Sequence, residues 1–255
     1  GLFIPAGPVV QIRDSAGRVS ILGDQDRSVT YSGPMAVLIN RMSASASEIV
    51  AGAIQDYGRG LILGGQTFGK GTVQILQDLD QGKLKITQSK FYRVSGESTQ
   101  HKGVMPDIAF PSMLDESSVG ESALDNPLPW DKILETRYPV YWDIPKFISE
   151  LDQRHQQRVA INPNFIALSE QLDQIKEQSN NFSAISLNEK DRIEQREESE
   201  ETQLTRENTR REALGLTLIT SLDDFNNDDS DEDIYSKEAS EILLDFIGMN
   251  QRQQK

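Results

Sequence analysis

Two short segments of this 255-residue chain contain residue types that could cleave a peptide bond. Ser45 stands between two alanines, directly before an apolar helical pattern. Lys70 follows 25 residues later, between two glycines. A serine hydroxyl acts as a nucleophile when a neighbouring base removes its proton. The chain contains only two histidines, so a lysine becomes the candidate for that base.

Ser45 also has a structural interpretation. With Glu48 it forms a Ser-x-x-Glu capping box, and a serine before an apolar helix is more often an N-cap than a nucleophile. The small neighbours Ala44 and Ala46 favour catalysis, because they leave room for a substrate backbone. A helix that follows a buried strand also presents free N–H groups to a developing oxyanion. This order of elements resembles a nucleophile elbow without its glycines.

The base could be a histidine or a lysine. We predict that His101 and His155 are surface residues, because both stand in polar surroundings, and a Ser-His-Asp triad is therefore disfavoured. An ordinary lysine is protonated at neutral pH and acts as a base only when burial lowers its pKa. Gly69 and Gly71 favour such burial of Lys70 by letting the backbone approach closely. The apolar residues expected around it are Phe68, Val73 and Ile75. The alternative is a surface lysine in a glycine-rich turn.

Gly64–Lys70 suggests a rival function of another class. The segment matches the Gly-x-x-x-x-Gly-Lys pattern of phosphate-binding loops, but Gly71 replaces the Ser or Thr that would hold magnesium. The expected helix is also missing, since Thr72–Leu76 alternates like a strand and would place no helix dipole at a phosphate. Nucleotide binding is therefore disfavoured.

Charge divides the chain unevenly. The net charge is −14, and residues 111–255 contain 15 Lys and Arg against 31 Asp and Glu. An acidic surface argues against nucleic acid as a partner. No run approaches the roughly 18 apolar residues of an integral membrane segment. The absence of cysteine excludes disulfides and thiolate catalysis. Because the chain starts with Gly1 within an apolar run, we interpret it as the interior of a longer protein.

The first part of the sequence predicts an α+β fold. A strand at Met35–Ile39, buried on both faces, a helix at Ser45–Tyr57 and a strand at Leu61–Leu63 make a βαβ unit within a mixed sheet. Turn residues between β-prone runs predict two hairpins. Their strands are Val9–Arg13 with Val19–Leu22, and Thr72–Leu79 with Lys83–Val94.

The second part predicts an acidic helical region. We divide the chain into a core at 1–111 that contains both candidate residues, an irregular Pro-containing connection at 112–145, and an acidic helical domain with a partly disordered tail at 146–255. Ser186 and Glu189 form a capping-box pattern. The acidic linker at 223–233 fails the calcium-loop pattern: counted from Asp224, the sixth position is Asp229 instead of glycine and the twelfth is Tyr235 instead of glutamate. The predicted helices are 144–159, 164–178, 188–214 and 239–247.

Four segments together resemble a known family. Ser43–Glu48, Gln55–Arg59, Thr67–Gln74 and Gly103–Asp107 are similar to the core motifs of carboxy-terminal processing peptidases, also called tail-specific proteases. The opening Leu2–Pro5 and the acidic helical tail resemble the long proteobacterial periplasmic branch. The resemblance is strongest over residues 2–111.

The resemblance implies a set of site residues. Ser45 would be the nucleophile, Lys70 the base, Gln74 a residue near the lysine, Asp56 a further functional residue, and the Ala46 N–H one half of the oxyanion hole. On a straight strand, Lys70 and Gln74 would lie about 13 Å apart, so direct contact requires a bend at Gly71. Along a helix, Asp56 would lie roughly 16 Å from Ser45 and could not contact its hydroxyl.

The resemblance also implies a function. The protein would be a serine endopeptidase of the periplasm that uses no metal or cofactor. Its substrates would be proteins with apolar, unstructured C-terminal tails, and an adaptor protein would be a further partner. In the family a PDZ domain and a Gly-rich loop, which supplies the other oxyanion donor, precede this region. Two alternatives stay open: a non-catalytic module whose acidic helices bind a partner, and an inactive fragment of such a protease.

Overall fold

The computed structural model describes residues 2–114, 118–181, 185–224 and 233–253. The chain divides into two compact units, of which the first comprises Gly1–Asp152 with Ala239–Lys255 and the second comprises Gln153–Glu238. All the candidate site residues lie in the first unit. Its strands and first helix are β1 (Gly7–Asp14), β2 (Val19–Asp24), β3 (Ala36–Ile39), α1 (Ala46–Asp56), β4 (Leu61–Gly64), β5 (Thr72–Asp78), β6 (Lys83–Tyr92) and β7 (Ile108–Ala109).

Four strands form an antiparallel sheet in the order β2-β1-β6-β5. Both predicted hairpins are confirmed, since β1 pairs with β2 and β5 pairs with β6. β5 lies at the edge of this sheet, and its register shifts between Val73 and Gln74. Because β5 begins at Thr72, Lys70 lies in the loop before the strand. The estimated separation of Lys70 from Gln74 along one straight strand therefore does not apply.

Three strands form a separate parallel sheet in the order β3-β4-β7. α1 connects β3 to β4, which confirms the βαβ unit and the α+β class. Leu61, Ile62 and Leu63 of the central strand β4 are fully buried, as both faces of that strand are covered. β3 lies at the edge and Leu38 is 41% exposed, so the prediction of a strand buried on both faces was wrong there.

The core of the βαβ unit fixes where α1 begins. Ala51 and Ile54 lie on one face of the helix and pack with Ile39, Ile62 and Val104. A spacing of three residues places both helical side chains on the same face. This packing holds the N-terminus of α1 at the end of β3, where Ser45 lies.

Among the described residues, four α-helices follow: α2 (Pro145–Val159), α3 (Pro163–Asn181), α4 (Glu189–Leu214) and α5 (Ile234–Gln253). The first three agree with the predicted helices to within a few residues, and the predicted 239–247 segment is part of the longer α5. The capping box at Ser186 and Glu189 was wrong. Asn188 caps α4 by accepting the Lys190 N–H at 3.0 Å, while the Ser186 hydroxyl donates to Asp191.

The prediction that His155 is a surface residue was also wrong. Its side chain is 1% exposed, and Nδ1 lies 2.9 Å from Oε1 of Glu238. His101 is exposed, as predicted. Within the described ranges, no helix is both long and apolar enough to cross a bilayer. Residues 225–232, which contain most of the predicted acidic linker, lie outside the described residues.

Candidate active site

Ser45 occupies a strained position between strand and helix. Its φ of 59° and ψ of −111° place a non-glycine residue in the left-handed half of the Ramachandran plot. A tight turn precedes it, in which the Met42 and Ser43 N–H groups donate to the side chain and carbonyl of Asn40. A sharp strand-to-helix turn of this kind pushes a serine side chain outward at the head of the following helix.

Ala46 supplies a free donor beside the serine. It is the first residue of α1, and its N–H donates to no residue in the described part of the chain. Unpaired N–H groups at a helix N-terminus concentrate positive charge that stabilises an oxyanion. Ala46 is exposed, so a substrate carbonyl can reach this donor.

Glu48 joins the serine segment to the lysine segment. Its side chain is fully buried. Oε2 accepts the N–H of Ser45 at 2.7 Å and the N–H of Lys70 at 2.9 Å, while Oε1 accepts the Gly69 N–H at 2.7 Å and the Thr67 hydroxyl at 2.6 Å. The nitrogens of Ser45 and Lys70 therefore lie no further apart than the sum of their distances to this one oxygen.

The charge of Glu48 follows from its surroundings. Burial raises the pKa of its carboxyl, and the four hydrogen bonds oppose that rise. Each oxygen already accepts two donors, which is the arrangement that the ionised form requires. The Ser-x-x-Glu pattern identifies Glu48 only as a capping residue of α1, since its contacts with the lysine loop depend on tertiary structure.

The lysine loop is packed closely against its neighbours. Gly69 has a φ of 91°, and a Cβ atom there would lie 2.9 Å from the carbonyl oxygen of His101. The Phe68 N–H donates to the carbonyl of Ser43 at 2.9 Å, which ties the loop to the serine turn a second time. Lys70 itself is partly buried. Ile75, expected to shelter it, is 41% exposed.

Gln74 and Asp56 lie in different settings. Gln74 is exposed on β5, and its Nε2 donates to the Thr87 hydroxyl at 3.4 Å. Asp56 ends α1 as a buried ion-pair partner of Arg93, and its Oδ2 also accepts the Ser95 hydroxyl at 3.0 Å. Asp56 therefore fastens the far end of α1 to the chain that follows β6. The structure joins the segments of Ser45, Ala46 and Lys70, and it gives Asp56 partners outside that group.

Within the described ranges, no group of three or more His, Cys, Asp or Glu side chains is arranged to hold a cation. A phosphate-binding loop would require a helix after Lys70. The structure has strand β5 there, as the alternating pattern of Thr72–Leu76 predicted.

Comparison with known proteins defines the class. Residues 1–110 match peptidase family S41, and residues 114–248 match the family described as the C-terminal domain of tail specific protease. The first match covers the strained serine and the glycine-flanked lysine loop. The chain belongs to the tail-specific protease family.

Several individual proteins are similar to this chain. The tail-specific protease of Haemophilus influenzae is 42% identical over 265 residues, which cover 99% of this chain and 38% of that protein. The carboxy-terminal-processing protease of Bartonella bacilliformis is 46% identical over 110 residues, 40% of this chain and 24% of the relative. Among solved structures, the photosystem II D1 C-terminal processing protease is similar with a TM-score of 0.40 and 38% identity, over 43% of this chain and 28% of that one. The chain thus spans well under half the length of these relatives.

Proposed function

We propose that this chain contributes the nucleophile and base of a serine endopeptidase. Ser45 attacks the substrate carbonyl, neutral Lys70 takes the hydroxyl proton and returns it to the leaving amine, and water then hydrolyses the acyl-enzyme. The observation that carries this proposal is the shared acceptor Glu48, whose Oε2 binds the backbone of both residues. A buried support of this kind preorganises the two groups before substrate arrives.

The Ala46 N–H is proposed as one donor to the tetrahedral oxyanion. Its position next to Ser45 and its lack of a partner in the described residues support this role. The second donor would come from the part of the complete protein that lies outside this chain. Loss of one such donor lowers kcat on the order of 100-fold to 1000-fold, so we expect the isolated chain to be weakly active or inactive.

The proposed substrates are proteins with unstructured, apolar C-terminal tails in the bacterial cell envelope, with the enzyme in the periplasm. Support comes from the apolar side chains that flank the serine in the chain. Met42, in the turn before Ser45, is 67% exposed, and Val50 on α1 is 50% exposed, so both are available for contact with apolar substrate residues. The family of C-terminal processing enzymes is consistent with cleavage of protein tails.

The test uses the complete protein that contains this chain. We expect Ser45→Ala and Lys70→Ala each to abolish cleavage of a substrate with an apolar disordered tail, while the fold is retained. Ser43→Ala provides a matched control from the same turn. Wild-type cleavage by either Ser45→Ala or Lys70→Ala would overturn the assignment.

The second candidate function is non-catalytic: the acidic helices would bind a partner, such as an adaptor protein. The observation that favours it is α4, a 26-residue helix whose side chains are mostly exposed and rich in Glu. A fluorophosphonate probe separates the two functions, because covalent labelling at Ser45 requires an activated hydroxyl. Labelling that is lost in Lys70→Ala supports the enzyme, and unlabelled complete protein supports the interaction module.

A further inference from the structure

Three consecutive amides around the candidate base are held by side chains. Glu48 accepts the N–H groups of Gly69 and Lys70, and Oε1 of Gln100 accepts the N–H of Gly71 at 2.9 Å. Gln100 is fully buried, as is Glu48. The backbone that carries Lys70 is therefore fixed on both sides of the lysine by buried acceptors.

Gln100 is itself held from a later part of the chain. Its Nε2 donates to Oε1 of Glu121 at 2.8 Å. The backbone N–H of Glu121 donates in turn to the carbonyl of Phe68 at 2.9 Å. Glu121 thus contacts the lysine loop directly through its backbone and indirectly through Gln100. It lies within residues 114–248, beyond the part of the chain that matches the peptidase family.

Arg41, in the turn before Ser45, makes a second set of contacts. They hold the segment that contains Glu121, Ser118–Ala123, against this serine turn. Buried Arg41 donates through Nη1 to the Thr67 carbonyl at 2.6 Å and through Nη2 to the Ser122 hydroxyl at 2.8 Å. Its Nε donates to the Val119 carbonyl. A Cβ atom at Gly120 would clash with this guanidinium, so the close approach requires glycine there. Ser118–Ala123 is therefore packed where the serine turn and the lysine loop meet.

We propose that Glu121, acting through Gln100, is a positioning residue for Lys70. This inference rests on the proposed function of Lys70 as the base. It means that a residue outside the part of the chain that matches the peptidase family helps to position the base. The carboxylate of Glu121 orients the Gln100 amide so that its oxygen faces the Gly71 N–H. Without that carboxylate the Gln100 NH₂ group loses its acceptor, and the loop loses one of its three fixed amides.

The expected effect is on the chemical step. A displacement of the base by a fraction of an ångström to one ångström lowers the rate on the order of 10-fold to 100-fold. We therefore expect Glu121→Ala in the complete protein to lower kcat by that factor, with little change in KM. Glu121→Gln keeps an acceptor oxygen for Gln100 and should restore most of the activity.

Asp125→Ala is the matched control. Asp125 lies in the same connection, and its exposed side chain makes no hydrogen bond within the described residues. Rates are normalised to the folded fraction measured by circular dichroism. A double variant, Gln100→Ala with Glu121→Ala, should lose no more activity than Gln100→Ala alone, because both changes remove the same support.

Three outcomes would overturn the proposal: equal kcat in Glu121→Ala and Asp125→Ala, no restoration by Glu121→Gln, or a loss that disappears on normalisation to folded protein. Lys70→Ala is measured beside these variants. If Lys70→Ala cleaves at the wild-type rate, the proposed function fails. If it is inactive while Glu121→Ala is fully active, only the positioning role fails.

Discussion

Oε2 of Glu48 accepts the backbone N–H of Lys70 at 2.9 Å, from a helix position three residues after the candidate nucleophile. The contact connects two segments that are separated by 22 residues in the sequence. The same oxygen accepts the N–H of Ser45, so one buried carboxylate oxygen contacts both segments. Glu48, which caps α1, is therefore also placed to hold the two residues of the proposed dyad together.

Glu48→Gln should separate these contributions. The amide has nearly the same shape, but its NH₂ group faces N–H donors and leaves at least one of them unsatisfied. We expect the free energy of unfolding to fall by about 2 kcal/mol. We also expect kcat to fall on the order of 100-fold through displacement of the lysine loop. Denaturant unfolding and steady-state cleavage measure the two effects.

Ser47→Ala is the control for Glu48→Gln. Ser47 lies in the same helical turn, and its exposed hydroxyl donates only to the Ala44 carbonyl at 2.8 Å among the described contacts. Both its stability and its kcat should stay close to wild type. Wild-type kcat in Glu48→Gln would show that the shared acceptor does not set the dyad geometry.

Asp56→Asn should reduce stability more than chemistry. Asp56 forms an ion pair with Arg93, and the side chains are 8% and 11% exposed. Removing one partner of a buried pair leaves the other charge uncompensated, which costs about 3 kcal/mol. The rate at which fluorophosphonate labels Ser45 in the folded fraction should stay near that of the wild type.

The double variant Asp56→Asn with Arg93→Met completes the Asp56 experiment. It should regain part of the lost free energy of unfolding, because no unpaired charge remains buried. A stable Asp56→Asn protein that labels slowly would instead indicate a direct part for Asp56 in catalysis.

Gln74→Ala tests the role that the resemblance assigns to this residue. Gln74 is exposed and makes one long hydrogen bond to Thr87, so the free energy of unfolding should change by less than about 0.5 kcal/mol. If Gln74 assists Lys70 in the complex with substrate, kcat should fall about 10-fold. Gln77→Ala, on the opposite face of β5, is the control and should keep wild-type kcat. Equal kcat in both variants would show that Gln74 does not assist catalysis.

The sequence predicted those features that depend on local pattern. Alternation and turn residues identified both hairpins, and a short apolar run, a helix and a second run identified the βαβ unit. The small neighbours of Ser45 and the glycines beside Lys70 pointed to the two segments that the structure joins. These signals are local because strand period, helix period and turn chemistry act over a few residues.

The remaining features depend on tertiary contacts. The partners of Gln100 and Arg41 come from residues that are distant in sequence, and no spacing rule identifies them. His155 is different, because a usable signal was present. It follows Phe147 and Leu151 at steps of four residues, and all three are buried on one face of α2. Polar neighbours outweighed that periodicity in the prediction of a surface histidine.

The buried contact of His155 with Glu238 makes acid stability a further test. Burial opposes ionisation, but hydrogen bonds from His155 and Arg158 hold the pKa of the Glu238 carboxyl below its ordinary value of 4.5. A carboxyl with a lowered folded-state pKa stabilises the fold above its unfolded-state pKa, and this contribution is lost as pH falls through the lower folded-state value. We therefore expect Glu238→Gln to be less stable than wild type at pH 7. The difference should shrink progressively below about pH 4.5. Denaturant unfolding at pH 7 and pH 3.5 measures it, with Glu241→Gln, an exposed neighbour on α5, as the control. A difference that is the same at both pH values would contradict ionisation of Glu238 as its source.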